Sequence, residues 1–121
     1  MPNFIGWNGY YQAIGYERDG ELKGAVVYTD ASPTNVVLST VLEAPLTRRF
    51  MYAIFAYPFL QLRVRRVTAL VEEWNTKSIC LCEHAGFRVE GALRQAAVGG
   101  GDVIILGMLA SECRWHRKRP L

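Results

Sequence analysis

Arg48 and Arg49 directly follow Thr47 at the start of the longest apolar-periodic stretch in the chain. Two cations in a first helical turn oppose the helix dipole, at a cost of a few tenths to about 1 kcal/mol each. An anion seated on the free amides of that turn reverses the sign and gives both guanidiniums a partner. A second group is Trp74-Asn75-Thr76-Lys77-Ser78, a polar turn straight after the apolar run Val67-Thr68-Ala69-Leu70-Val71. A polar turn at the carboxyl end of a buried strand is where open α/β sheets place ligands. Glu72 and Glu73 end that strand and point to opposite faces, so only one of them can face a substrate. Cys80, Cys82 and His84 have the residue types of a metal site, but not its geometry. On a helix Cys80 and Cys82 lie about 200° apart and cannot converge on one ion, so no metal is expected.

The elements that must hold these groups read out in order. Residues 1–9 are turn-rich, with Phe4 and Trp7 expected to fold back as a lid or edge. Residues 11–17 and 22–29 form a hairpin across Arg18-Asp19-Gly20-Glu21, because Asp-Gly tolerates the positive φ of a tight turn. A loop over 30–34 leads to a strongly apolar, central strand over 35–42. Residues 47–62 make the long helix. Thr47 is its N-cap, Phe50, Ala53, Ile54 and Tyr57 its inward face, and Met51 and Phe55 widen that face. Pro58 must kink or end the regular helix, since it lacks an amide hydrogen and crowds the preceding turn. The buried strand at 67–71 follows. A short helix then carries Ser78, Leu81, Cys82 and Ala85 as an inward stripe, with Asn75 or Thr76 as N-cap. Gly86 stops it in the left-handed conformation. Residues 89–97 and 103–110 pair across Gly99-Gly100-Gly101-Asp102. The order β-β-β-α-β-α-β-β gives an α/β fold built on a mixed sheet.

Asn75-Thr76-Lys77-Ser78, then Glu83-His84-Ala85-Gly86-Phe87-Arg88-Val89-Glu90-Gly91 and Leu93-Arg94, resemble the carboxyl half of the GNAT (acyl-CoA N-acyltransferase) superfamily. The nearest pattern is its ribosomal-protein N-terminal acetyltransferase branch, and the whole chain is similar to short GNAT-like proteins of phages and prophages. The resemblance covers roughly residues 22–115. It implies a GNAT-like fold truncated at the amino terminus, without the family's opening strand and first two helices, which wall the acceptor side of the cleft. It also implies acetyl-CoA as co-substrate. Its pyrophosphate would lie at Thr47, Arg48 and Arg49, although Ala44-Pro45-Leu46-Thr47-Arg48-Arg49 lacks the family's glycines. Its pantetheine arm would run along Val41, Leu42 and Glu43 as an added strand, within reach of Asn75 and Ser78. The family's tyrosine acid falls in register with Cys82, and a small core residue suits that inward position equally. Glu43, Glu72 and Glu73 are the candidate bases; the catalytic residues themselves are not assigned. The expected activity is acetyl transfer to the primary amine of a protein N-terminus or a small molecule. The alternative is a reduced GNAT-fold module that binds CoA or a protein without turnover.

Composition narrows the rest. A chain of 121 residues with 50% hydrophobic and 21% charged residues is one domain, 1–121, with a real core and a composition that argues against disorder. Three cysteines fit reduced thiols in a cytoplasmic protein. No run reaches the ~18 apolar residues of a membrane span, so no membrane partner is expected. The net charge of +3 sits mostly in a basic tail within 111–121. That tail reads as a solvated terminus, and Arg114, Arg117, Lys118 and Arg119 do not spread over a folded face as a nucleic-acid footprint should. Edge strands and the aromatics Tyr10, Tyr11 and Trp115 are compatible with a homodimer or a monomer.

Overall fold

A computed structural model describes residues 3–7, 11–42 and 47–117. Seven strands form one sheet in the order β1-β2-β3-β4-β5-β7-β6. They are β1 (Asn3–Trp7), β2 (Tyr11–Arg18), β3 (Glu21–Thr29), β4 (Asn35–Leu42), β5 (Arg66–Glu72), β6 (Arg88–Leu93) and β7 (Val103–Leu109). The expected order is present with one addition. The turn-rich stretch expected to fold back as a lid or edge supplies an edge strand, β1, antiparallel to β2 from Asn3↔Gly15 to Trp7↔Tyr11. Alternation of residue size was too weak there to signal a strand.

Helix α1 spans Arg48–Ala56 and α2 spans Thr76–Ala85. Each belongs to a crossover that moves in the same direction along the sheet, from β4 to β5 and from β5 over β7 to β6. Right-handed crossovers of that kind land on the same face. One core results, joining Val26, Tyr28, Val36, Leu38, Val67, Ala69, Leu106 and Met108 of the sheet to Phe50, Ile54 and Phe55 of α1 and Cys82 and Ala85 of α2. The opposite face carries Ala25, Val27, Val37, Thr68, Leu70 and Ile105, all half-buried or exposed. It has no covering helix among the described residues.

Pro58 ends the regular part of the long helix, as its chemistry requires. The α-helix stops at Ala56 and a π-helical turn covers Tyr57–Gln61, closed by Leu62 N–H donating to Tyr57 O at 2.9 Å. Proline offers no N–H to the carbonyl four residues back. That carbonyl, Ile54 O, instead accepts the Tyr28 hydroxyl at 2.5 Å. Burial, with a smaller contribution from Tyr57, pushes the Tyr28 hydroxyl far above its usual range, so it remains a donor.

Strand β6 is shorter than expected. It stops at Leu93, and a turn follows in which Gln95 takes φ 58° and its N–H donates to Asp102 Oδ1 at 3.0 Å. Within β6 the register slips between Val89 and Gly91, a bulge beside Glu90, which lies on the bare face. There Glu90 meets Arg66 at 2.8 Å across Gly107, where any Cβ would collide with both side chains. The Arg66 guanidinium holds the Glu90 carboxyl below its usual range.

The basic tail is not simply solvated. After β7, Cys113 is fully buried, Arg114 donates to His84 O at 2.9 Å, and Trp115 Nε1–H donates to Ala85 O at 2.8 Å. Those acceptors are last-turn carbonyls of α2, left without intrahelical partners. The guanidinium also sits at the negative end of the helix dipole. Residues 118–121 lie outside the described residues.

Candidate functional site

Strands β4 and β5 are parallel neighbours, but they pair only from Asn35↔Arg66 to Leu38↔Ala69. Beyond that rung both continue, β4 to Leu42 and β5 to Glu72, without pairing to each other. Each keeps its outer partner. Val41 and Leu42 stay paired with Ala25 and Gly24 of β3, and Leu70 to Glu72 stay paired with β7. The inner edge of β4 is therefore left with backbone groups that need partners. The gap is a cleft of about 170 Å³, lined from β4, from β5, from Trp74 and from Asn75, Ser78 and Cys82.

Helix α2 shapes one wall. Asn75 is its N-cap, and its Oδ1 accepts from Ser78 N–H at 3.2 Å. Capping uses the oxygen alone, and the amide nitrogen brings two further donors to the cleft. At the other end Gly86 adopts φ 117°, and the amides of Gly86 and Phe87 return to Cys82 O. Fixed at both ends, α2 presents Ser78 and Cys82 to the cleft and leaves Cys80 exposed. Burial, then the Glu83 charge, pushes the Cys82 thiol up to about 11. It is a protonated, weak donor at neutral pH.

The two adjacent carboxylates separate as strand alternation requires. Glu72 lines the cleft and accepts a hydrogen bond from Trp74 Nε1–H. Glu73 is turned toward Gly101, where an added Cβ would strike its carboxylate. His84 is exposed. No group of three His, Cys, Asp or Glu suited to a metal ion occurs among the described residues.

The other candidates stand as follows. Thr47 caps α1, its Oγ1 accepting from Phe50 N–H at 3.1 Å. Arg48 and Arg49 are exposed in the first turn, which holds no acidic residue. Glu43 lies outside the described residues, as does the run 43–46. Sequence reading missed Leu38, Ser39, Leu70 and Trp74 as cleft residues. The signal was present in part: a tryptophan beside the capping asparagine, at a strand end, has little core to enter.

No protein-family model matches the sequence, and no curated protein does so either. Solved structures do match. A variant of spermidine N-acetyltransferase SpeG from Vibrio cholerae superposes with a TM-score of 0.72 at 21% identity, over 86% of this chain and 67% of that one. N-acetyltransferase PseH from Campylobacter jejuni, in complex with acetyl coenzyme A, gives 0.65 at 15% identity, over 85% and 70%. The chain thus spans about two thirds of the length of each. At such identities the likeness is one of fold, and that fold, with its strand order and its parted central strands, is the GNAT acetyltransferase fold.

Proposed function

We propose that this protein is an acetyl-CoA-dependent N-acetyltransferase acting on the primary amine of a protein or small molecule. The observation that carries the reading is the parting of β4 and β5 after Leu38↔Ala69. It leaves a free strand edge beside a cleft with amide and hydroxyl groups, which suits a slender chain of amides ending in a thioester. Residues Ser39 to Leu42 would pair with that chain, with Asn75 and Ser78 opposite. The exposed first turn of α1, with Thr47, Arg48 and Arg49, would take the pyrophosphate. Acetyl transfer needs the C–S bond to break as the neutral nitrogen attacks the thioester carbonyl, its second proton to reach the departing thiolate, and, beforehand, one proton to leave the ammonium. Glu72 is the described carboxylate within the cleft that could accept that proton. Within the superfamily we place the chain near the ribosomal-protein N-terminal acetyltransferases and the short phage-type proteins, on its Gly86-Phe87 to Leu93-Arg94 run, and in the cytoplasm. A homodimer would form through an exposed edge strand, which leaves the bare sheet face free.

Isothermal titration with CoA tests the reading: saturable heat is expected, and none at millimolar ligand would remove it. The arginines have their own expected result. Replacing both Arg48 and Arg49 by Ala should weaken CoA roughly 10- to 100-fold, since charge-assisted hydrogen bonds contribute about 1.5–3 kcal/mol. Pantetheine, which lacks the pyrophosphate, should bind the variant and the parent equally. Equal losses for both ligands would move the anion elsewhere.

A second reading has a specific observation behind it. A Cys82 thiol at about 11 is a weaker acid than an ordinary thiol near 8.5. It can donate a hydrogen bond to a departing thiolate, but full proton transfer would run uphill. A module that binds CoA and turns over slowly or not at all fits that acid. Tight CoA binding with no acetyl transfer across a panel of amines would select it.

A further inference from the structure

The cleft opens on both sides of the sheet. Side chains alternate between faces along a strand, so Leu38, Ala69 and Val71 line it from the helix-covered face and Ser39, Leu70 and Glu72 from the bare face. Helix α2 closes on the covered side only. The bare-face mouth is marked by Trp74, whose indole is 65% exposed although it borders a cleft. Its Nε1–H donates to Glu72 Oε2, which fixes ring and carboxylate as one unit. Leu70, 37% exposed, adds apolar surface beside them. No lysine or arginine lines the cleft among the described residues, so nothing within it neutralises Glu72.

We propose that the Glu72–Trp74 pair is the acceptor-recognition site of this protein and that it takes a primary ammonium group on an aliphatic chain. The inference rests on the acetyltransferase reading of the covered side of the same cleft. The carboxylate supplies the counter-charge. The indole face attracts the cation through its quadrupole, and Leu70 receives the alkyl part. An ammonium held there sits beside a group able to take its proton, on the bare-face side of the cleft. Two sources carry this chemistry, a small polyamine and a polypeptide N-terminus, and the bare face leaves room for either.

The test titrates CoA-saturated protein with n-butylamine and with n-butanol, its neutral counterpart. The amine is expected to bind and the alcohol to bind at least about 10-fold more weakly, the size of one charge-assisted contact. Trp74→Leu should weaken the amine roughly 3- to 30-fold and change the alcohol by less than about 2-fold. Trp74→Phe, which retains a ring face, should keep most of the affinity. Equal binding of amine and alcohol, or equal losses for both in Trp74→Leu, overturns the acceptor site while CoA binding stands. Failure of the parent protein to bind CoA overturns the acetyltransferase reading, and the acceptor site with it. Spermidine binding more tightly than a tetrapeptide with a free N-terminus identifies the small source, and the reverse order identifies the polypeptide.

Discussion

Ser78→Trp is expected to abolish CoA binding and leave the fold standing. Ser78 is half-buried on α2 and faces a cleft of about 170 Å³. An indole projected from that position fills the space between β4 and β5 that a thioester chain would need. The side chain is not part of the core and its backbone N–H, which Asn75 caps, is unchanged. Thermal unfolding should therefore stay within a few degrees of the parent, as surface changes contribute about 0.5 kcal/mol or less. CoA affinity should fall by more than about 100-fold, a loss of some 2.7 kcal/mol. Titration calorimetry and a melting curve together decide it. Undiminished affinity in a folded variant would mean that CoA does not enter between these strands.

The largest effect on stability should come from Phe55→Ala. Phe55 is 2% exposed and stands between two other rings, Phe59 at 6.3 Å on the π-helical turn and Phe87 just after α2 at 6.0 Å. It therefore joins three parts of the chain that share no strand pairing. Truncating a buried phenylalanine costs about 3–5 kcal/mol through lost transfer energy and the residual cavity. Against a total of roughly 5–15 kcal/mol for a domain, that is a large fraction. Urea unfolding should show a midpoint lowered by at least about 1 M, given a slope near 1–3 kcal/mol/M. A shift under a third of that would show that α1 is not anchored through this ring.

The sequence was most legible where local chemistry and tertiary demand agreed. Asn75, the α2 stripe and Gly86 each state a helix start, face and stop, and α2 runs from Thr76 to Ala85 with those ends. Thr47 and Pro58 bounded α1 for equally local reasons. The parting of β4 and β5 was accessible only through the family resemblance, because Ser39 to Leu42 read as ordinary strand and nothing in their types says which neighbour they forgo. Residues 3–7 became a strand through pairing with β2, a long-range effect without a local signal. The tail misled for the opposite reason. Arg114 looks like solvated surface, and Trp115 like an aromatic for a second copy to cover, until the carbonyls at the end of α2, 30 residues earlier, are placed beside them. Glu72 and Glu73 were equivalent in sequence, and only the sheet's register tells them apart.

The attachment of Arg114 and Trp115 to the end of α2 bears on how the protein is made. A ten-residue helix is marginal by itself in water, and this one forms a wall of the cleft. Its carboxyl end is finished by residues synthesised 30 positions later. During translation the cleft therefore stays incomplete until that segment has left the ribosome, so a nascent chain halted before Arg114 would hold the binding residues without a settled wall to present them.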